Sequence, residues 1–344
     1  MRILITGGTG FIGKQLAQRL LDQGSLSLDG QPGQPIERIV LFDAFAGEGV
    51  PSDPRIEVVT GDISDAATLA PLCDGVDLVW HLAAVVSSAA EADFDLGMDV
   101  NLHGLLTLLD TLRQGQYPIG AGAARDRDTA GSTRGRPPVR LVYASGFAVF
   151  GGKLPEVVND DTALTPTSSY GMQKAVGELL VADYARKGFV DGRVLRLPTI
   201  AVRPGKPNKA ASTFFSSIIR EPLVGEPAVC PVRPDTQVYL SSPRRAVESM
   251  LLAMTLAPSA LGERRIIPLP GLTTTVADMV AALQRVAGDE AVKLIRWEPD
   301  ATIQRIVESW PSQVDAPYAR SLGFTADADF DAIVKAHIED TAAG

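Results

Sequence analysis

Arg2-Ile3-Leu4-Ile5-Thr6-Gly7-Gly8-Thr9-Gly10-Phe11-Ile12-Gly13 opens the chain and decides how the rest is read. The run Arg2 to Thr6 is apolar and short, as a buried strand is, and it passes directly into glycines at 7, 10 and 13. Helical spacing follows through Ile12, Leu16, Leu20 and Leu21, so Phe11 to Gln23 is predicted as a helix whose N-terminus abuts the glycines. Glycine lets a chain turn tightly and approach a pyrophosphate, and a helix N-terminus presents free N–H groups and the positive end of its dipole. Strand, Gly7-x-x-Gly10-x-x-Gly13 and helix in this order predict dinucleotide binding at Gly7, Gly10 and Gly13.

Outward from that unit, strands are predicted at Ile39–Phe42, Ile56–Thr60, Leu78–Leu82, Val139–Tyr143 and Val194–Leu197, with helices around Val100–Leu112 and Gln173–Arg186. Continuous apolar strands separated by helices predict an α/β, Rossmann-type doubly wound parallel sheet covered on both faces. Residues 1–198 are read as this nucleotide-binding domain. The alternation then fades among prolines at 204, 207, 222, 227, 231 and 234, so 199–344 is read mainly as a smaller substrate-binding lobe with some segments returning to the sheet. Helical patterns there cover Ala246–Leu256 and Val276–Val286. Ser25–Pro35 reads as a polar lengthening of the first crossover, and 115–138 as a flexible surface insertion.

The 344 residues carry 32 Lys+Arg against 41 Asp+Glu, a formal charge of -9, which repels a phosphate backbone, and no basic stripe offsets it. Nucleic acid is therefore not expected as a partner. No apolar run reaches the roughly 20 residues a membrane helix needs, so no membrane partner is expected. The early glycines interrupt any signal-peptide core, and Cys73 and Cys230 alone make no disulfide framework, which predicts an intact cytoplasmic protein. His81, His103 and His337 lack metal-ligand spacing, so no metal is expected.

Asp43 ends the second strand, where a carboxylate accepts from both adenosine ribose hydroxyls and repels the extra phosphate of NADP. Asp62 follows the third strand, at the adenine edge if it is not simply a turn former. Tyr170-x-x-x-Lys174 sets a phenol and an ammonium one helical turn apart. A free phenol has a pKa of roughly 10, and a neighbouring cation is the simplest way to make it a base near neutral pH.

In order along the chain, Thr6 to Gly13, Gly61-Asp62-Ile63, His81-Leu82-Ala83-Ala84, Asn101 to Gly104, Val149-Phe150-Gly151 and Tyr170 to Lys174 resemble the extended short-chain dehydrogenase/reductase, or NAD-dependent epimerase/dehydratase, family. Leu322-Gly323-Phe324 fits its C-terminal segment. The resemblance implies NAD as cofactor, Tyr170 as catalytic acid/base, and Lys174 as holder of the nicotinamide ribose. It further implies cofactor contacts at Phe11, Ile12, Ile63, Leu82, Ala83, Ala84, Pro198 and Thr199, a structural or cofactor-proximal Asn101, and a packed His81. Family habit implies a homodimer through the two long helices.

Counting back from Gly151, the family's catalytic serine or threonine falls on Gly146. Ser145, Ser169, Thr199 or a bound water then takes the role, or catalysis is impaired; Ser145 would serve only if the backbone turns, because successive strand side chains face opposite ways. Val149–Val158, Phe189–Thr199 and Val202–Asn208 resemble a branch of the family that oxidises D-erythronate, a small sugar acid, with NAD. The expected reaction is oxidation of a secondary alcohol of such an acid to the keto acid. Nucleotide-sugar epimerisation or dehydration, and non-catalytic NAD binding, are the alternatives. A buried carboxylate needs a cationic partner, so Arg203 or Arg244 is expected to clamp it, with Lys206 a weaker candidate, while Ser87 and Ser88 meet substrate hydroxyls.

Overall fold

The computed structural model describes residues 1–116, 137–205 and 211–342. Its first half alternates β1 (Arg2–Thr6), α1 (Phe11–Gln23), β2 (Arg38–Asp43), β3 (Ile56–Thr60), α2 (Ala66–Cys73), β4 (Leu78–His81), α3 (Ser87–Ala92), α4 (Gly104–Gln116), β5 (Arg140–Gly146), α5 (Ser169–Arg186) and β6 (Asp191–Leu197). The second half adds β7 (Thr199–Ile200), α6 (Phe214–Leu223), β8 (Gln237–Ser241), α7 (Pro243–Thr255), β9 (Ile266–Pro268), β10 (Leu272–Thr275), α8 (Val276–Ala287) and α9 (Phe330–Ala342). The main sheet has seven strands in the order β9-β6-β5-β4-β1-β2-β3, every neighbouring pair parallel. Strand order reverses at β1 and β4, the crevice where ligands of such sheets sit.

Strands β1, β4 and β5 are covered on both faces, which is why they read as unbroken apolar runs. On one face Ile3, Ile5, Leu16, Leu20, Trp80 and Met250 pack together; on the other, Leu4, Val79, Leu105, Leu109, Leu141 and Tyr143 do. A further core forms wholly from residues after 200, including Phe215, Ile218, Leu240, Met279, Leu283 and Ile333. Helix α7 returns to the first core, and its end is fastened there: Arg140 and Arg193 donate to the Met254 carbonyl at 2.8 and 3.3 Å, cations at the negative end of the helix dipole.

Three expectations need correction. Ser25–Pro35 is a small antiparallel hairpin pairing Ser25–Leu26 with Gln34–Pro35, not merely a lengthened loop. Helix α5 begins at Ser169, four residues before the expected Gln173, because the Ser168 hydroxyl caps it by accepting from Gly171 N at 3.1 Å. The helix expected at Val100 is π-helical over Met98–His103 before continuing as α4. Most of the expected insertion, 117–136, lies outside the described residues, as does Lys206.

Candidate active site

Gly7 adopts a left-handed φ of 69°, and a Cβ there would stand 2.7 Å from the Ala83 nitrogen. Gly13 is equally constrained: a Cβ would meet the carbonyls of Gly7 and Gly8 at 2.6 Å. Gly10 is the N-cap of α1 and supplies no side-chain bond, and no acidic residue occupies the first turn. The N–H groups of Phe11, Ile12 and Gly13 are thus left for an anion, and a pyrophosphate fits this turn.

Asp43 closes β2 beside that turn, accepting from Thr9 N at 3.2 Å and Ala44 N at 2.8 Å. Asp62 forms a turn, its Oδ1 accepting from Ser64 N and Oγ, both at 2.8 Å. Ile63 is a core side chain against Gly104 and offers a cofactor only its main chain. Leu82, Ala83 and Ala84 run on from β4 alongside Gly7 and are partly exposed. Asn101, expected in a structural or cofactor-proximal role, is buried and its amide ties the chain together: Oδ1 accepts from Val85 N at 2.9 Å, and Nδ2 donates to Val85 O at 3.3 Å and Gln173 Oε1 at 2.8 Å. It pins the 83–86 segment to α5.

The first turns of α5 present Tyr170 and Lys174 together. Lys174 is 3% exposed; its Nζ donates to the Ala144 carbonyl at 2.8 Å and lies 5.6 Å from the centroid of the Tyr170 ring and 4.8 Å from that of Tyr143. Burial lowers its ammonium to about 8, with the Glu178 carboxylate opposing. Burial pushes the Tyr170 phenol up to about 12, and the Arg203 guanidinium pulls the other way. His81 stays neutral, pushed down to about 3 by burial and by Lys174; its Nδ1 bonds the Thr6 hydroxyl at 2.7 Å and its ring stacks on Tyr143 at 5.7 Å. The packed role expected for His81 matches this placement.

Ser145, one candidate for the missing hydroxyl, is turned toward the protein interior. It is buried and donates to Glu178 Oε1 at 2.7 Å, and the same carboxylate takes Arg196 Nε at 2.9 Å and Nη2 at 2.7 Å. Gly146 lies in extended backbone at φ -160°, and a Cβ there would meet only the Leu197 carbonyl, at 3.6 Å. Glu178 and Arg196 were not anticipated. Two signals stood in the chain: Glu178 falls one helical turn beyond Lys174, and Arg196 interrupts an otherwise apolar strand.

Pro198 is buried and Thr199 half-buried where β6 passes into β7. Arg203 follows, half-buried, its main-chain N–H given to Ser216 Oγ at 2.9 Å and its Nη2 to Ser212 Oγ at 3.3 Å. Burial, then Arg220, lowers its pKa, and Tyr170 raises it. Arg244 is engaged by other partners: it donates to Glu339 at 2.7 Å and to Asp340 at 2.6 and 2.9 Å, both on α9. Ser87 and Ser88 occupy the first turn of α3, which is tied to the start of α5 by Ser169 N donating to Glu91 at 2.9 Å.

Residues 3–238 match the NAD dependent epimerase/dehydratase family. A Cupriavidus necator protein named D-erythronate dehydrogenase is 52% identical over 342 residues, 99% of this chain and 98% of its own. A Haemophilus influenzae protein of the same name is 41% identical over 340 residues, 98% of this chain and 99% of its own. Among solved structures, one described as a nucleoside-diphosphate-sugar epimerase from Agrobacterium tumefaciens superimposes with a TM-score of 0.89 at 42% identity, covering 100% of this chain and 95% of that one. A glycine turn that opens α1, an acid at the end of β2 and a Tyr–Lys couple at the start of α5 are here carried by a chain that belongs to the NAD dependent epimerase/dehydratase family.

Proposed function

We propose that this chain oxidises a secondary alcohol of a small sugar acid, D-erythronate or a near relative, to the keto acid with NAD as cofactor. The observation that carries this reading is that Lys174 lies 5.6 Å from the centroid of the Tyr170 ring and that the half-buried Arg203, whose charge also acts on Tyr170, has no carboxylate partner among the described residues. A guanidinium kept largely from water without a counter-charge suits an acidic substrate. The two relatives named D-erythronate dehydrogenase support the same substrate class.

Gly7, Gly13 and the first N–H groups of α1 would hold the pyrophosphate, Asp43 the adenosine ribose, and Lys174 the nicotinamide ribose. Bound NAD supplies the hydride acceptor. Tyr170 takes the hydroxyl proton, with Lys174 and Arg203 favouring its phenolate. Arg203 clamps the substrate carboxylate, while Ser87, Ser88 and Thr199 face its hydroxyls. The core formed after residue 200, which carries α6 and hence the Ser216 that holds Arg203, serves as the substrate-binding lobe.

The proposal extends to a cytoplasmic homodimer built on α4 and α5, supported by the exposure of Phe94, Leu96 and Leu179 on and beside those helices. Among the described residues no helix is long and apolar enough to cross a membrane. The test of function is NADH formation across four-carbon and neighbouring sugar acids, the polyols of equal length, and nucleotide sugars. Turnover confined to the acids supports the reading; equal turnover of a polyol, or conversion of a nucleotide sugar without net NADH, overturns it.

A further inference from the structure

We propose that Glu178 and Arg196 are positioning residues that set the pH at which the Tyr170–Lys174 couple exchanges its protons. The proposal rests on the reading of Tyr170 as the base. Glu178 is fully buried, and its carboxylate is saturated by Arg196 Nε at 2.9 and 3.1 Å, Arg196 Nη2 at 2.7 Å and Ser145 Oγ at 2.7 Å. A carboxylate at such depth needs a compensating charge, and the fork of guanidinium bonds supplies it. The guanidinium is itself held over the Phe150 ring at 5.1 Å.

The anion is aimed at the couple by two elements at once. On α5, Glu178 follows Lys174 by four residues, one turn along the same face. On β5, Ser145 binds Glu178 while its neighbour Ala144 accepts from Lys174 Nζ at 2.8 Å. Arg196 is paired in register with Ser145 across β5 and β6, so the two strand ends and the helix close around one ion pair.

The other titratable groups about the couple are His81 from β4 and Tyr143 from β5, both neutral, and the cation Arg203 beyond β7. Glu91 from α3 accepts from Ser169 N in solvent, and Asp99 and His103 pair with each other on the exposed side of the π-helical turn. Asp110 on α4 is engaged by Arg113 and Tyr184. Glu178 is therefore the buried carboxylate that acts on Lys174, and it acts to keep the ammonium charged.

Removing that charge leaves Arg196 uncompensated and makes the surroundings of Tyr170 and Lys174 more positive, so both protons of the coupled pair leave at lower pH. In Glu178→Gln, both limbs of the kcat profile should move down by about one pH unit. The phenolate absorbance of Tyr170 in the cofactor-free protein, taken as the difference from Tyr170→Phe, should move the same way. Glu178→Asp should return the limbs to their original positions whatever its rate. If Glu178→Gln does not fold, the double variant Glu178→Gln/Arg196→Gln buries no unpaired charge and should show a smaller downward shift. Reduced rate with unmoved limbs in the folded variants overturns the proposal. Turnover surviving in Tyr170→Phe instead overturns the assignment of the base, so the two failures are distinguishable.

Discussion

The Ser145 hydroxyl donates to Glu178 at 2.7 Å, turned into the protein, while Gly146, the next residue, has room for a Cβ in ordinary contact with the Leu197 carbonyl at 3.6 Å. Gly146→Ser should therefore fit without strain and raise kcat on a sugar acid by adding a hydroxyl beside the reacting oxygen. Ser145→Ala should keep turnover and lose about 1 kcal/mol of stability, read by urea unfolding. Loss of turnover in Ser145→Ala with no gain in Gly146→Ser would make Ser145 the working hydroxyl.

Asp43 stands at the end of β2 with Thr9 N on one oxygen, facing the glycine turn. The unmodified protein should prefer NAD to NADP, and Asp43→Asn should narrow that preference by removing the charge that opposes a 2′-phosphate. The check is kcat/KM for both cofactors; equal use by the unmodified protein would contradict the role of Asp43.

Tyr170→Phe should lower kcat by about 10²–10⁴-fold while calorimetry shows NAD binding nearly unchanged, since only the proton-accepting oxygen is lost. Lys174→Ala should weaken both if the ammonium held 5.6 Å from the centroid of the Tyr170 ring serves ribose and phenol together as proposed.

Arg203 and Arg244 should separate cleanly. Arg203→Ala is expected to raise KM for the acid far more than for NAD, and to raise the Tyr170 pKa, which Arg203 lowers. Arg244→Ala should leave both KM values in place and cost less than about 1 kcal/mol, because its ion pairs with Glu339 and Asp340 are exposed at the surface.

Acid stability should report on His81. Its folded pKa, about 3, lies below the ordinary 6.5, so between these values the unfolded chain binds a proton that the folded one refuses. Stability is then complete above the unfolded value and is lost as pH falls, by roughly 3 kcal/mol at about pH 4. In His81→Gln the difference in unfolding free energy between neutral and acid pH should shrink by that amount.

The sequence by itself determined the doubly wound sheet, the glycine turn and the Tyr170–Lys174 spacing. Each is local: a buried strand needs an unbroken apolar run, a pyrophosphate turn needs glycines at fixed steps, and four residues make one helical turn. What the tertiary structure alone decided was where each polar side chain spends its hydrogen bonds. Arg203 and Arg244 read alike as candidate clamps for a carboxylate, yet Glu339 and Asp340 of α9, more than ninety residues beyond Arg244, take up Arg244, while Arg203 has no carboxylate partner among the described residues. Asn101 read as structural or cofactor-proximal, and only the packing shows its amide closing on Val85 and Gln173. Ser145 lies one residue from Gly146, where the resemblance places a hydroxyl, and the alternation of side chains along β5 turns it toward Glu178. Partners brought together from distant parts of the chain leave no periodicity behind them, so these choices appear only when the strands and helices are packed.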